Sequence, residues 1–368
     1  MKRIFLLLYI FLLLSLAGCQ GNLFSSRRDM ERLRPVQTLG LDETEEGVYI
    51  SVAAGTEPEG PGALVMTAPG TGIEDAVTRL QDYSPEDELF YAHNRYLLLG
   101  ADAAGAGILP LLDWVERSPA MRMETPLFLV KGTAREAVTG ASGEMTDVTR
   151  RLASLEREEL SRGRHIYTLR QIAAALLERG GALCLAVEPV PSRDVVLGSM
   201  GDGDALLPAG YAVLRPGEEP LFLTEGESLG AELLTAGLSG ARVPLEDVML
   251  DILQGSARVR GQREDGQLTG MDIRCRLTAG ILEQTGAGDA DPDALEQALE
   301  AAAEHWIRAV IARSQAVGCD FLDLQGPLTA DFFRGGGEAR RWKEIFPGLA
   351  VNVTAEARID RSYDLSGE

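Results

Sequence analysis

The N-terminus decides where folding can begin. Lys2 and Arg3 are followed by an unbroken apolar run from Ile4 to Leu14, and then by Leu16-Ala17-Gly18-Cys19. The run is too short to cross a hydrocarbon core, which takes about 20 residues in a helix. A short positive segment, an apolar stretch and small residues before a cleavage point make a secretory signal. A cysteine immediately after Leu16, Ala17 and Gly18 completes a bacterial lipobox. Cys19 is therefore the expected lipidation site, with residues 1–18 removed. Acyl burial contributes about 0.8 kcal/mol per methylene, so two chains hold a protein on a membrane almost permanently. No later stretch is apolar for long enough to span a bilayer. Residues 19–35 read as a solvated linker, with Arg27, Arg28, Arg32 and Arg34 interleaved with Asp29 and Glu31.

What remains is too long for one ordinary domain, since domains average roughly 100–200 residues. The net charge of −21 and the pI near 4.6 make nucleic-acid binding by bulk charge untenable. A hydrophobic fraction of 45% with 25% charged residues belongs to folded chains and not to disordered ones.

Local patterns predict a mixed α/β, or α+β, protein of three domains, each a sheet packed with helices. In the first (36–195), Val48 to Val52 and Ala63 to Met66 read as paired strands, and Tyr96 to Leu99 and Leu127 to Val130 as apolar ones. Between those last two lies a helix from about Ile108 to Glu116. Thr168 and Gln171 form a capping-box pair, and Gly180 stops the helix that they open. Ala182 to Val187 then reads as a buried strand. A Pro- and Gly-rich stretch precedes a small middle unit (196–247) of two strands and a helix, too little to stand without its neighbours. The third domain (248–368) has a hairpin turned by Asp265-Gly266 and a long helix capped by Asp291 and Pro292. That helix carries the apolar stripe Leu295, Leu299, Ala302, Trp306, Val310 and Val317, and ends at Gly318. An antiparallel sheet with helices on one face is the expected arrangement.

Catalytic chemistry finds little material. The chain has 3 histidines and 4 cysteines, and none stands in a Ser-His-Asp or Cys-His pattern. His93, His165 and His305 read as structural, and Cys184, Cys275 and Cys319 as buried thiols. Asp289, Asp291, Asp293 and Glu300 match four positions of an EF-hand loop. Ala294 replaces its turn glycine and Pro292 starts a helix inside it, so no metal site is assigned. No catalytic residue and no cofactor is expected. A lipid-anchored enzyme would need convergent titratable groups. The alternative of a transporter's solute-binding lipoprotein would need two similar doubly wound lobes, whereas the last third is antiparallel in pattern.

Several segments carry a resemblance. Leu39-Gly40-Leu41-Asp42 is followed by Leu89-Phe90-Tyr91-Ala92-His93-Asn94-Arg95-Tyr96-Leu97-Leu98-Leu99-Gly100, then by Leu111-Leu112-Asp113-Trp114 and Leu127 to Gly132. Near the end come Gly318-Cys319-Asp320-Phe321 and Trp342-Lys343-Glu344-Ile345-Phe346-Pro347. With the lipobox, this order resembles the Ger(x)C spore-germination lipoproteins, the C subunits of nutrient germinant receptors. Family members usually carry Trp-Asp-Arg-Arg-Glu directly after the lipid cysteine. Here Gln20 to Ser26 intervene and the Trp is missing. The resemblance implies three α+β domains, no enzymatic activity and a place on the outer face of the spore inner membrane. It also implies two membrane partners: a polytopic A-type subunit and a transporter-like B-type subunit. His93, Asn94 and Arg95 are its most specific segment, and are expected either to stitch a turn to the sheet or to face a partner subunit.

Overall fold

In a computed structural model the chain is described over residues 32–55, 64–142, 148–191, 204–245, 247–285, 291–329 and 341–360. Strands β1 (Leu33–Thr44), β2 (Gly47–Ala54) and β3 (Leu64–Gly70) form an antiparallel meander. Helix α1 (Ile73–Tyr83) and the short strand β4 (Glu88–Phe90) lead into β5 (Tyr96–Gly100). Helices α2 (Ala101–Ala106) and α3 (Leu109–Arg117) connect β5 to β6 (Leu127–Val130). Helices α4 (Ala134–Gly140), α5 (Val148–Ser161) and α6 (Leu169–Arg179) then lead to β7 (Ala182–Val190). Strands β8 (Ala205–Arg215) and β9 (Glu218–Phe222) complete a sheet of order β3-β2-β1-β5-β6-β7-β8-β9, with β4 beside the start of β1.

Its middle strands β1, β5, β6 and β7 are parallel, and antiparallel pairs close both sides. Parallel strands need cover on both faces, which is why β5 and β6 are apolar throughout and wholly buried. Leu97, Leu99, Leu127 and Leu129 pack with Leu80, Leu111, Val115 and Ile172 in one core. Their neighbours Leu98, Phe128 and Val130 pack with Val138, Leu152 and Leu155 in the other. The capping box forms as the spacing predicts: Thr168 Oγ1 accepts from Gln171 N while Gln171 Oε1 accepts from Thr168 N. Gly180 ends α6 at φ 80°, the left-handed conformation that glycine adopts freely.

Helix α7 (Glu225–Thr235) leads to a second sheet: β10 (Ala241–Leu245), β11 (Val248–Glu264), β12 (Gln267–Gln284) and, after helix α8 (Pro292–Ala316), β13 (Ala350–Asp360). Asp265 and Gly266 turn the long hairpin at φ 49° and 82°, as a type I′ turn requires. The segment expected as a middle unit is divided: β8 and β9 extend the large sheet, while β10 joins the second. Unpaired edges and an uncovered helix face are costly, so each piece attaches to the nearest sheet. The second sheet is antiparallel over β10–β12, but β13 runs parallel to β12. The reason is α8, which returns the chain across one face of the sheet before β13 begins.

The buried stripe of α8 is Leu295, Leu299, Ala303, Ile307, Val310, Ile311 and Ser314, shifted from the expected one because α8 also packs against α7. At that crossing a Cβ on Gly230 would collide with the Trp306 carbonyl, and one on Gly226 with its ring. Gly230→Ala is expected to cost about 2 kcal/mol in urea unfolding through overpacking. Gly326→Ala, where an added methyl meets nothing, serves as the neutral control.

Strand β13 is an edge, and α8 covers its free amides. Glu304, Glu300 and Glu296 accept from Ala355 N, Ala357 N and Ile359 N at 3.2, 3.1 and 2.9 Å, and Arg308 donates to Val353 O at 2.8 Å. Side chains four apart on the helix thus match residues two apart on the strand. They occupy the groups through which another strand could pair.

Candidate functional site

Two buried joints and one segment at the entrance to β5 hold the residues singled out by sequence, and a third joint is built from ionic residues that the sequence does not mark. The first joint closes the C-terminal ends of the parallel strands, where open α/β sheets usually receive ligands. Asp42, at the end of β1, accepts from Ala134 N at 2.6 Å and Arg135 N at 2.7 Å. It thereby satisfies free amides at the start of α4, where a negative charge is also favoured by the helix dipole. Burial pushes its pKa up, opposed by those two bonds. Gly100, at the end of β5, leaves room for this carboxylate, since a Cβ there would overlap Asp42 Oδ1. The residues after β1, β5 and β6 therefore meet at one point.

The second joint ties the C-terminal segments together. Asp320, 3% exposed, accepts from Leu324 N at 3.0 Å, Gln325 N at 2.8 Å and Trp342 Nε1 at 3.0 Å. Trp342 stacks on Phe346 with ring centroids 5.3 Å apart. Helix α9 (Gln325–Thr329) starts on Asp320, and α10 (Trp342–Ile345) carries the tryptophan. The neighbouring Cys319 abuts Gly181 at the entrance to β7, so this joint also fastens the second sheet's elements to the first sheet.

The third joint is ionic. Glu159 on α5 and Glu232 on α7 are 1% and 2% exposed, and Arg164 bridges them at 2.6 and 2.9 Å. Tyr211 O–H donates to His165 O at 3.1 Å beside them. Among the described residues Glu232 Oε2 has no hydrogen-bond partner, and burial pushes the Glu232 carboxyl up to about 7. The sequence pattern gives no sign of this network, because Glu159 and Arg164 meet Glu232 and Tyr211 only through elements far along the chain. Next to it a cavity of about 650 Å³ lies between α6, the end of α7 and residues 321–327. Arg179 and Asp323 pair on its wall at 3.0 Å.

His93, Asn94 and Arg95 lie at the entrance to β5, after a single 3-10 turn over Tyr91–His93. Asn94 N closes the turn on Tyr91 O at 2.9 Å, and the backbone then joins the sheet through Arg95 N to Gln37 O of β1 at 2.8 Å. Asn94 is buried, with neither amide atom partnered, as is the Tyr91 hydroxyl. His93 and Arg95 are exposed, and the Arg95 guanidinium lies 5.4 Å from the centroid of the Tyr96 ring. Leu16, Ala17, Gly18 and Cys19 lie outside the described residues. Cys184, Cys275 and Cys319 are buried free thiols, with pKa values pushed up by burial to about 12, 12 and 11. Among the described residues no three His, Cys, Asp or Glu side chains group to hold a metal ion. Asp291 instead caps α8, accepting from Asp293 N, and Glu300 serves the β13 edge.

Comparison with known families decides the lineage. The model described as spore germination protein N-terminal domain matches residues 26–187, and that described as spore germination B3/GerAC like, C-terminal, matches residues 209–363. The chain is a GerAC-like spore germination protein. Curated protein sequences give no match. The crystal structure of the GerBC protein is similar in fold, with a TM-score of 0.55 and 14% identity, over 87% of this chain and 96% of that one. In this GerAC-like chain the residues that carry the resemblance sit in load-sharing joints: Asp42 and Gly100 in one, Asp320 and Trp342 in another. Among its described residues no helix is long and apolar enough to cross a membrane.

Proposed function

We propose that this chain is the lipid-anchored, non-catalytic subunit of a spore nutrient germinant receptor. Acyl chains on Cys19 hold it at the extracytoplasmic face of the spore inner membrane. There it assembles with a polytopic A-type subunit and a transporter-like B-type subunit. The observation that carries this reading is the match of both family models across the two halves of the chain. The joints support it: Asp42 and Asp320 are occupied in holding elements together, as suits a body whose task is to be rigid and to bind partners. The exposed His93 and Arg95 are available to such a partner, and tethering raises the effective concentration of the chain beside it, so modest affinity suffices.

Cys19→Ala in the spore-former tests the reading. The variant is expected to leave the membrane fraction, to lower the levels of the two neighbouring subunits and to abolish one nutrient response. A variant still held in the membrane, or germination unchanged for every nutrient, would overturn it.

A further inference from the structure

The second sheet is covered on one side by α7 and α8, and among the described residues the side chains of its other face are largely exposed along the middle of β11 and β12. Along that face β11 and β12 present Ser256, Arg258, Arg260, Asp272, Arg274 and Arg276, which with Gly261 line a hollow of about 340 Å³. Arg258 lies directly across from Arg274 in the strand register. Like charges so placed destabilise a sheet. Two carboxylates lie nearby: Asp272, directly across from Arg260 in the register, accepts from Gln262 Nε2 and Asn352 Nδ2 at 2.6 and 2.9 Å, and Glu356 pairs with Arg276 at 3.0 Å. Among the described residues Arg258, Arg260 and Arg274 have no ion-pair partner. Four guanidinium groups against two carboxylates leave this face with an excess of positive charge, which is unusual on a chain of net charge −21.

We propose that this arginine face docks on an anionic lipid surface and seats phosphate headgroups in the hollow. The planar guanidinium fork matches phosphate oxygens in a bidentate way. Arginine is also enriched at protein interfaces, but there it accompanies aromatic side chains and methionine, and the hollow's lining has neither, so a protein partner fits less well. An acidic body is repelled by an anionic membrane, so a basic face also fixes which side approaches. The residues between Cys19 and Arg32 span at most about 45 Å when extended, so the anchor keeps the body close to the lipid surface. The inference rests on the anchored reading above.

The test uses the full lipidated chain in vesicles of phosphatidylcholine, with or without phosphatidylglycerol, and arginine modification by phenylglyoxal read by mass spectrometry. Phosphatidylglycerol is expected to slow modification of Arg258, Arg260 and Arg274 by roughly fivefold, and high salt to reverse the effect. The double variant Arg258→Glu/Arg274→Glu should keep its melting temperature and lose the protection at Arg260. Equal rates in both vesicles would overturn the proposal. So would equal protection by inorganic phosphate alone, or protection that needs another spore protein. Flotation with pure phosphatidylcholine vesicles depends on the acyl chains alone, so failure there indicts the anchor and not the arginine face.

Discussion

Asp320→Ala is expected to destabilise the chain by about 4 kcal/mol, because it takes the acceptor from two buried donors and one half-buried one. Two are backbone amides at the start of α9, Leu324 N and Gln325 N, and the third is Trp342 Nε1. Each orphaned donor costs roughly 1–3 kcal/mol, so even partial relaxation leaves a large deficit. The loss is a sizeable share of the roughly 5–15 kcal/mol that keeps a typical domain folded. The damage should begin locally, with α9 and α10 released, and then loosen Cys319 from Gly181. Asp320→Asn keeps the volume and one acceptor oxygen, so it should cost less than the alanine variant. Urea unfolding followed by tryptophan fluorescence reads both, with Trp342 inside the affected joint. A cost below about 1 kcal/mol for Asp320→Ala would mean that water replaces the carboxylate and the joint carries little energy.

Features confined to one turn of chain were legible in the sequence. The Thr168–Gln171 capping box, the Gly180 stop, the Asp265-Gly266 turn and the Asp291-Pro292 helix start all depend on local geometry, and all formed where the pattern put them. Partnerships between distant elements were not legible. Whether β8 pairs with β7 or stands in a separate unit depends on which edge is free, and no short window records that. The direction of β13 follows from α8, not from its own alternation of apolar and polar residues. The acidic run on α8 shows the same limit. Glu300 stood out in the sequence only as a would-be metal ligand and Glu296 and Glu304 not at all, because only the fold brings β13's free amides beside them. At the family-bearing segments the sequence marked Asp42 and Asp320 as notable without revealing which amides they hold. Arg164 and Glu232 carried no mark at all.

Arg164→Met should cost about 4 kcal/mol at pH 8 and clearly less at pH 5. Removing the cation leaves Glu159 and Glu232, both nearly inaccessible to water, facing each other across α5 and α7. Breaking a buried pair by removing one partner typically costs about 3–5 kcal/mol, since an uncompensated charge stays behind. Glu159 keeps a weaker contact with Arg162 at 3.5 Å, whereas among the described residues Glu232 makes its ion pair with Arg164 alone. Protonation offers relief, and Glu232 is placed to take it. Burial holds its folded pKa at about 7, above the ordinary 4.5, with the Glu159 charge adding to the rise and Arg164 opposing it. A carboxyl with a raised folded pKa binds its proton more tightly folded than unfolded, so its contribution is complete below about 4.5 and is lost as pH rises through about 7. A shift of that size corresponds to about 3 kcal/mol across the window. Burial also raises Asp42 and Asp320, which act in the same direction. The unsubstituted chain should therefore melt higher at pH 5 than at pH 8. Glu232→Gln, which keeps the shape and cannot ionise, should narrow that difference. In the Arg164→Met chain the proton replaces the lost guanidinium, so the deficit shrinks with acid. Equal deficits at pH 5 and pH 8 would show that Glu232 is already neutral in the folded chain at both values. The joint between α5 and α7 would then be held by packing and not by charge.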